Sequence, residues 1–329
     1  MGQLTILLVK EIYYPILAII GVPANLMTIV ILFRGNCGLS KCISIYMVAM
    51  ATADVLVLLI NVMVYYIFSC HFPLSFLSHT PICKSILCMT VITLDLSVWF
   101  TVSFTFDRFI IICYQKFKTK YCMEKTVVVV ITIIAALIFI KNIPFSFAYE
   151  SEQIINKLEW GCQSSLAFFS SPLGVAWILF HTIWRVWLPF SLILLFNSLT
   201  VRHVLVASRR RRGLRGHSNE NQSDPEMENR RKSIILLFTI SGSFILLWLT
   251  AIMSFVITRM TNTTYYRGDR TDPAYIATET GAMLKLLSSC TNTCIYAATQ
   301  RKFREELKKL LKSPWTLIER LVKNETKSI

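Results

Sequence analysis

The stretch from Cys83 to Lys118, CKSILCMTVITLDLSVWFTVSFTFDRFIIICYQKFK, limits what this chain can fold into more than any other. Between Cys83 and Arg108 it is mostly apolar and contains neither Gly nor Pro, which favours one uninterrupted helix. At the helical rise that stretch is about 37 Å long. This is enough to cross a hydrocarbon core of about 30 Å and reach the headgroups on both sides. A cysteine then stands at one membrane face and the pair Asp107-Arg108 at the other. Lys116, Lys118 and Lys120 follow, and a basic cluster beside a span marks the cytosolic side. The rest of the chain reads as further helices packed around this one.

Six more runs have spanning length, giving seven near Ile12–Phe33, Ser44–Phe68, Cys83–Cys113, Thr126–Phe147, Gly174–His203, Lys232–Thr258 and Tyr275–Thr299. The fourth is rich in Val and Ile, but its length argues for helix over strand. Composition agrees: 54% of the 329 residues are hydrophobic and 16% charged, and a soluble domain of this length needs no such runs. The net charge of +15 raises nucleic acid as a partner. The basic residues, however, sit in short segments between apolar runs, so the lipid bilayer is the partner they indicate. The ten cysteines show neither C-x-x-C pairs nor metal-ligand spacing. No cleavable signal peptide is evident, because the first run is long enough to remain as a span.

The connecting segments alternate. Those holding Arg34 and Lys41, Lys116 to Lys125, Arg209 to Lys232, and Arg301 to Lys312 are strongly basic; the others are mixed or acidic, one having no charge from Cys70 to Ile82 and another carrying Glu150, Glu152 and Glu159 against Lys157. Positive-inside asymmetry predicts an external N-terminus and a cytosolic C-terminus. Arg209–Lys232 reads as a polar connector. In the tail, Phe303, Leu307, Leu310 and Leu311 fall on one helical face, predicting an amphipathic helix on the inner leaflet that Pro314 ends. The expected fold is all-α: a seven-transmembrane helix bundle over residues 1–300 and a cytosolic tail over 301–329 with a short amphipathic eighth helix.

On these spans the chain resembles a rhodopsin-like (class A) G-protein-coupled receptor. Asp107-Arg108-Phe109 is similar to the family's Asp-Arg-Tyr signature. Asn25 in GVPANL, Asp54 in ATADVL, Pro189 in WLPF, Phe244 with Trp248, and Asn292 with Tyr296 match further motifs in order along the spans. Each is weak alone; their order is specific. NSLTVRHVL and SCTNTCIY are similar to the orphan group called probable G-protein-coupled receptor 139, whose wider group is associated with aromatic amino acids and small peptides. The chain departs from the family pattern at Thr250 and Thr293, which stand where prolines are usual, at Asn197, where tyrosine is common, and in a fourth span without tryptophan. Helix kinks are expected to differ accordingly.

The resemblance assigns roles residue by residue. Asp107 restrains Arg108 at rest, and the freed guanidinium, permanently charged and forked, meets a heterotrimeric G protein; the bland reading is a helix-end ion pair. The base of the sixth span holds Glu228, Asn229 and Arg230, so the acidic partner some relatives use there is displaced or missing. Val98, Pro189, Phe244, Trp248 and Tyr296 form an activation relay. Asp54, Ser97 and Asn292 share a depth about 15 Å into the membrane. There they hold either a sodium ion, the family's allosteric modulator, or a protonated carboxyl in a hydrogen-bond network. Cys83 and Cys162 form a disulfide, Cys70 has no evident mate, and Asn262 heads an external glycosylation sequon, whereas those at Asn221 and Asn324 face the cytosol.

Thr90, Leu94, Trp177, His181, Arg185, Trp248 and Lys285 line the expected ligand site. Thr90 stands where amine receptors carry aspartate, which argues against a biogenic amine. Asp95 pairs with Arg185 or with Lys141, and Lys285 either meets a ligand carboxylate or pairs within the core. The expected function is a receptor for a small extracellular ligand. An odorant-type chemosensory receptor stays open, since such receptors also lack the proline after Trp248. A transporter or channel would show repeat halves and broken helices, and neither is visible. No HExxH, GxSxG or P-loop suggests an enzyme.

Overall fold

The computed structural model describes the backbone of residues 2–35, 37, 39–72, 75–114, 123–214, 225–261 and 273–312, and their side chains apart from those of 2–5, 70, 208, 210–214, 225–230 and 258–261. Seven long helices pack side by side. They are α1 (Gly2–Phe33); α2 (Lys41–Val57, continued by a π-helical stretch Leu58–Phe68); and α3 (Thr80–Cys113). α4 (Glu124–Asn142) continues as a short 3-10 stretch, Ile143–Phe147. α5 runs as Pro172–Thr182, a π-helical turn Ile183–Trp187 and Leu188–Leu214; α6 (Pro225–Thr261) and α7 (Pro273–Thr299) follow. A short helix α8 spans 301–312.

Six of these helices are long and apolar enough to cross a membrane. α7 falls short on hydropathy, because Glu279, Lys285 and many Ser and Thr residues dilute it. It packs nonetheless against α1, α2 and α6, so its polar residues face protein. The helices turn apolar side chains outward as well: Ile140 is 63% and Leu246 70% exposed, as a lipid-facing surface requires. α1 starts ten residues before the expected Ile12, so the chain ahead of that apolar run is helical.

One segment departs from an all-helical expectation. The segment between α4 and α5 forms two short antiparallel pairs, β1 (Tyr149–Glu150) with β4 (Gln163–Ser164) and β2 (Gln153–Ile155) with β3 (Leu158–Trp160). Asn156 and Lys157, both at positive φ, make the two-residue turn whose twist matches that of the strands. This segment is fixed to α3 by the Cys83–Cys162 disulfide and by the Thr80 hydroxyl donating to the Gly161 carbonyl at 2.8 Å, and to the turn before α3 by Gly161 N–H donating to the Ser78 carbonyl at 2.7 Å.

Three apolar clusters stack along the bundle. Tyr14, Leu17, Val57, Leu58, Leu94, Met283 and Leu286 fill the space among α1, α2, α3 and α7. Val98, Val102, Ile193, Phe244 and Trp248 join α3, α5 and α6. Phe104, Met47, Met50, Ile240 and Tyr296 lie in the largest, which Phe303 of α8 closes. Leu307 and Leu310 pack against it, but Leu311 is 52% exposed and off the expected face. Pro314 lies outside the described residues.

Small residues set helix spacing in place of proline kinks. A Cβ on Gly281 would meet the Ala251 Cα at 2.7 Å, so α6 and α7 touch backbone to backbone there. Thr293, in the usual proline position, instead bonds Thr28 of α1 at 2.9 Å. Replacing Gly281 with Ala favours helix by about 0.5–1 kcal/mol, but overpacking against backbone costs about 1–3 kcal/mol. We therefore expect Gly281→Ala to lower the thermal unfolding midpoint of the purified protein; a rise would show that the α6–α7 contact is loose.

Candidate functional site

α3 carries polar groups at three depths, and helical geometry decides which neighbour each meets. Residues two apart are turned by about 200°, so Asp95 and Ser97 face opposite ways. Ser97 points to α2 and donates its hydroxyl to Asp54 Oδ1 at 2.7 Å; Asn292 Nδ2 of α7 donates to Asp54 Oδ2 at 2.8 Å. Asp54 is fully buried, and both of its oxygens are engaged. The structure thus brings the three residues together. Above them Asn61 donates to Thr93 at 2.9 Å, and beside them Asn25 donates to the Ser289 carbonyl at 2.7 Å.

Asp95, also fully buried, faces α4 and α5. Its Oδ2 accepts from Lys141 Nζ at 2.6 Å and Asn142 Nδ2 at 3.1 Å, and its Oδ1 accepts from Arg185 Nε at 2.7 Å. Arg185 also donates through Nη2 to the Val91 carbonyl at 2.8 Å. The alternative pairings expected from sequence therefore occur at once. Arg185 belongs to this junction, on the π-helical turn of α5, a local feature often found at functional sites.

At the far end Arg108 is closed on Asp107 and buried, its guanidinium carbon 5.7 Å from the Phe104 ring centre. Asp107 Oδ1 accepts from the Cys42 thiol at 3.4 Å. Phe109 stacks on Phe196 of α5, ring centres 5.6 Å apart. The side chains of Glu228, Asn229 and Arg230 lie outside the described residues. Between these levels Phe244 and Trp248 sit 5.1 Å apart within the cluster containing Val98. Pro189 is buried in α5, and Tyr296 packs lower down on Phe303, centres 5.8 Å apart. Asn197, in place of tyrosine, donates to Ser241 of α6 at 2.8 Å.

The expected ligand-site residues divide into groups. Trp177 and His181 pack on Phe145, with centres at 4.5 and 5.1 Å. Leu94 joins the α1–α2–α7 cluster, and Thr90 is half-buried, donating to the Leu87 carbonyl at 2.7 Å. Lys285 lies over Trp248, its Nζ 6.0 Å from the ring centre, while Trp248 Nε1 donates to Ser288 at 3.1 Å. The side chain of Cys70, with all of Asn221, Asn262 and Asn324, lies outside the described residues.

The family described as 7 transmembrane receptor (rhodopsin family) matches residues 24–296, from just before Asn25 to Tyr296. The chain belongs to that family. Rhodopsin-family receptors are multi-pass membrane proteins that signal and have no catalytic activity. Within this rhodopsin-family receptor, sequence reasoning missed Asn142, Asn61, Thr93, Ser288 and Cys42. Asn142 follows Lys141 directly, and a polar pair ending an apolar run was the available signal. The others are common residue types whose partners lie on distant helices.

The junction at Asp95 makes a measurable claim. Asp95→Asn leaves Lys141 and Arg185 buried without their counter-ion, a loss of about 3–5 kcal/mol for a broken buried pair. Replacing Asp95, Lys141 and Arg185 together with Leu removes the charges as well as their partner. Thermal unfolding should show the single variant well below wild type and the triple variant recovering most of the loss; equal losses would argue against electrostatic coupling.

Proposed function

We propose that this rhodopsin-family receptor lies in the plasma membrane with its N-terminus outside, binds a small extracellular ligand, and passes the signal to a heterotrimeric G protein. The observation carrying the reading is the closed Asp107–Arg108 pair: a permanently charged, forked donor buried at the end of α3 and restrained by its neighbour. Ligand binding shifts an existing equilibrium toward a state in which that guanidinium is released. The Val98–Phe244–Trp248 cluster, joining α3, α5 and α6, is a packed element able to hold two arrangements. Likeness to the orphan group noted above favours an aromatic amino acid or short peptide as the ligand. In this orientation the Cys83–Cys162 disulfide faces the oxidising side, and Asn262 would accept a glycan.

Sodium is proposed as a modulator. The two Asp54 oxygens and the Ser97 hydroxyl oxygen are the hard donors such a cation takes, so the residues fit it. Asn292 would then orient the carboxylate through its amide N–H. When bound, the ion supplies a positive charge that compensates the buried carboxylate.

The receptor reading predicts that Arg108→Ala, with surface expression intact, abolishes receptor-dependent nucleotide exchange on a G protein in reconstituted membranes. Ion current or solute uptake independent of any ligand would favour a transporter instead. For sodium, Asp54→Asn should remove any sodium dependence of agonist affinity, and an unchanged dependence would eliminate the ion from this site.

A further inference from the structure

Among the described residues, the half of the bundle that lies toward the disulfide holds more cations inside it than carboxylates. Lys141, Arg185 and Lys285 all lie within it. Asp95 is engaged by the first two from opposite sides, at 2.6 and 2.7 Å. Glu279, the acidic residue of α7, is paired with Lys10 at 2.6 Å. Both carboxylates thus make their ion pairs with other cations, and among the described residues Lys285 has no ion pair. Its ammonium instead lies 6.0 Å from the Trp248 ring centre, at the outer limit of a cation–π contact. A contact at that range does little to offset a lysine charge held in a protein interior at membrane depth.

We infer that Lys285 is the docking point for the carboxylate of an extracellular ligand, an acid with an aromatic or otherwise apolar body. The assignment rests on the receptor reading and names the ligand class for that same site. Three features of the surroundings agree. Thr90 on α3 is neutral, and Asp95 of the same helix is already engaged by Lys141 and Arg185, so no free anion of α3 repels an acid or recruits an amine. Trp248 already gives its indole N–H to Ser288, leaving its face as the apolar surface beside the ammonium. Arg185 is held by Asp95 and the Val91 carbonyl, so it adds field at the site without serving as the primary ligand contact. Of the two roles the sequence left open for Lys285, ligand contact or pairing within the core, this selects the first. The ligand's anion would thus supply the missing counter-charge directly above the Trp248–Phe244 pair.

The test uses full-length receptor in lipid nanodiscs and a panel of aromatic carboxylic acids, each beside its primary amide, including L-tryptophan and L-tryptophanamide. Binding is read as the rise in thermal unfolding midpoint with concentration, without G protein. At least one acid should bind wild type more tightly than its amide. Lys285→Met should weaken that acid about 10- to 100-fold, the range of a lost hydrogen bond to a charged group, and leave the amide within about threefold. Lys285→Arg should retain the preference for the acid, and Arg185→Lys should change acid and amide alike. The inference is overturned if no acid binds, if acid and amide bind equally, or if Lys285→Met leaves the acid unaffected. Should Lys285→Met fail to fold, the acid–amide comparison on wild type decides alone. Loss of the receptor reading would appear separately, as nucleotide exchange insensitive to Arg108→Ala.

Discussion

A charge inside a hydrocarbon slab must find a partner there, because water is too far away to solvate it. This receptor places carboxylates at three depths and resolves each differently. Asp95 takes two cations and an amide from neighbouring helices. Asp54 takes two neutral donors. Asp107 takes the guanidinium beside it in the chain. Two of these carboxylates sit on α3 and the third bonds to it. That helix is therefore the element whose rotation and height the others must match.

The three solutions differ in what they allow. Around Asp95 three helices meet, and pulling any of them away exposes an unpaired charge to the interior, so this level suits a fixed frame. It holds the π-helical turn of α5 against α3 through Arg185. Around Asp107 the pair is local, made by adjacent residues, and can open without separating two helices. Between them the Val98–Phe244–Trp248 cluster contributes packing without charge and resists movement least through electrostatics. A rigid level toward the disulfide, a deformable middle and a releasable end form a sensible order for transmitting a signal along a rod.

The departures from the family pattern follow the same logic of substitution. Where proline is usual in α7, Thr293 provides a hydroxyl to Thr28 and ties the helix to α1. Where tyrosine is common in α5, Asn197 reaches Ser241 of α6. Each exchange replaces a kink or a long side chain with a short interhelical bond. Such bonds are worth about 0.6 kcal/mol on average in membranes, so they adjust helix position more than they secure it.

Much of this architecture was already written along the chain. Apolar runs of spanning length can do little except cross a bilayer as helices, since only helices satisfy their own backbone there. That fixed the all-α bundle, and the amphipathic pattern fixed α8 even though Leu311 turned out to face away. α7 shows the limit of hydropathy, because its polar residues are explained only by the helices around it. The hairpin before Cys162 was hidden as well, its strands being only two or three residues long. The sequence named Asp95, Arg185, Lys141 and Lys285 as charges in need of partners. Which cations took Asp95, and which one was left over, depended on helix rotation and approach distance. Those quantities arise from packing among distant segments, and no local pattern of residues encodes them.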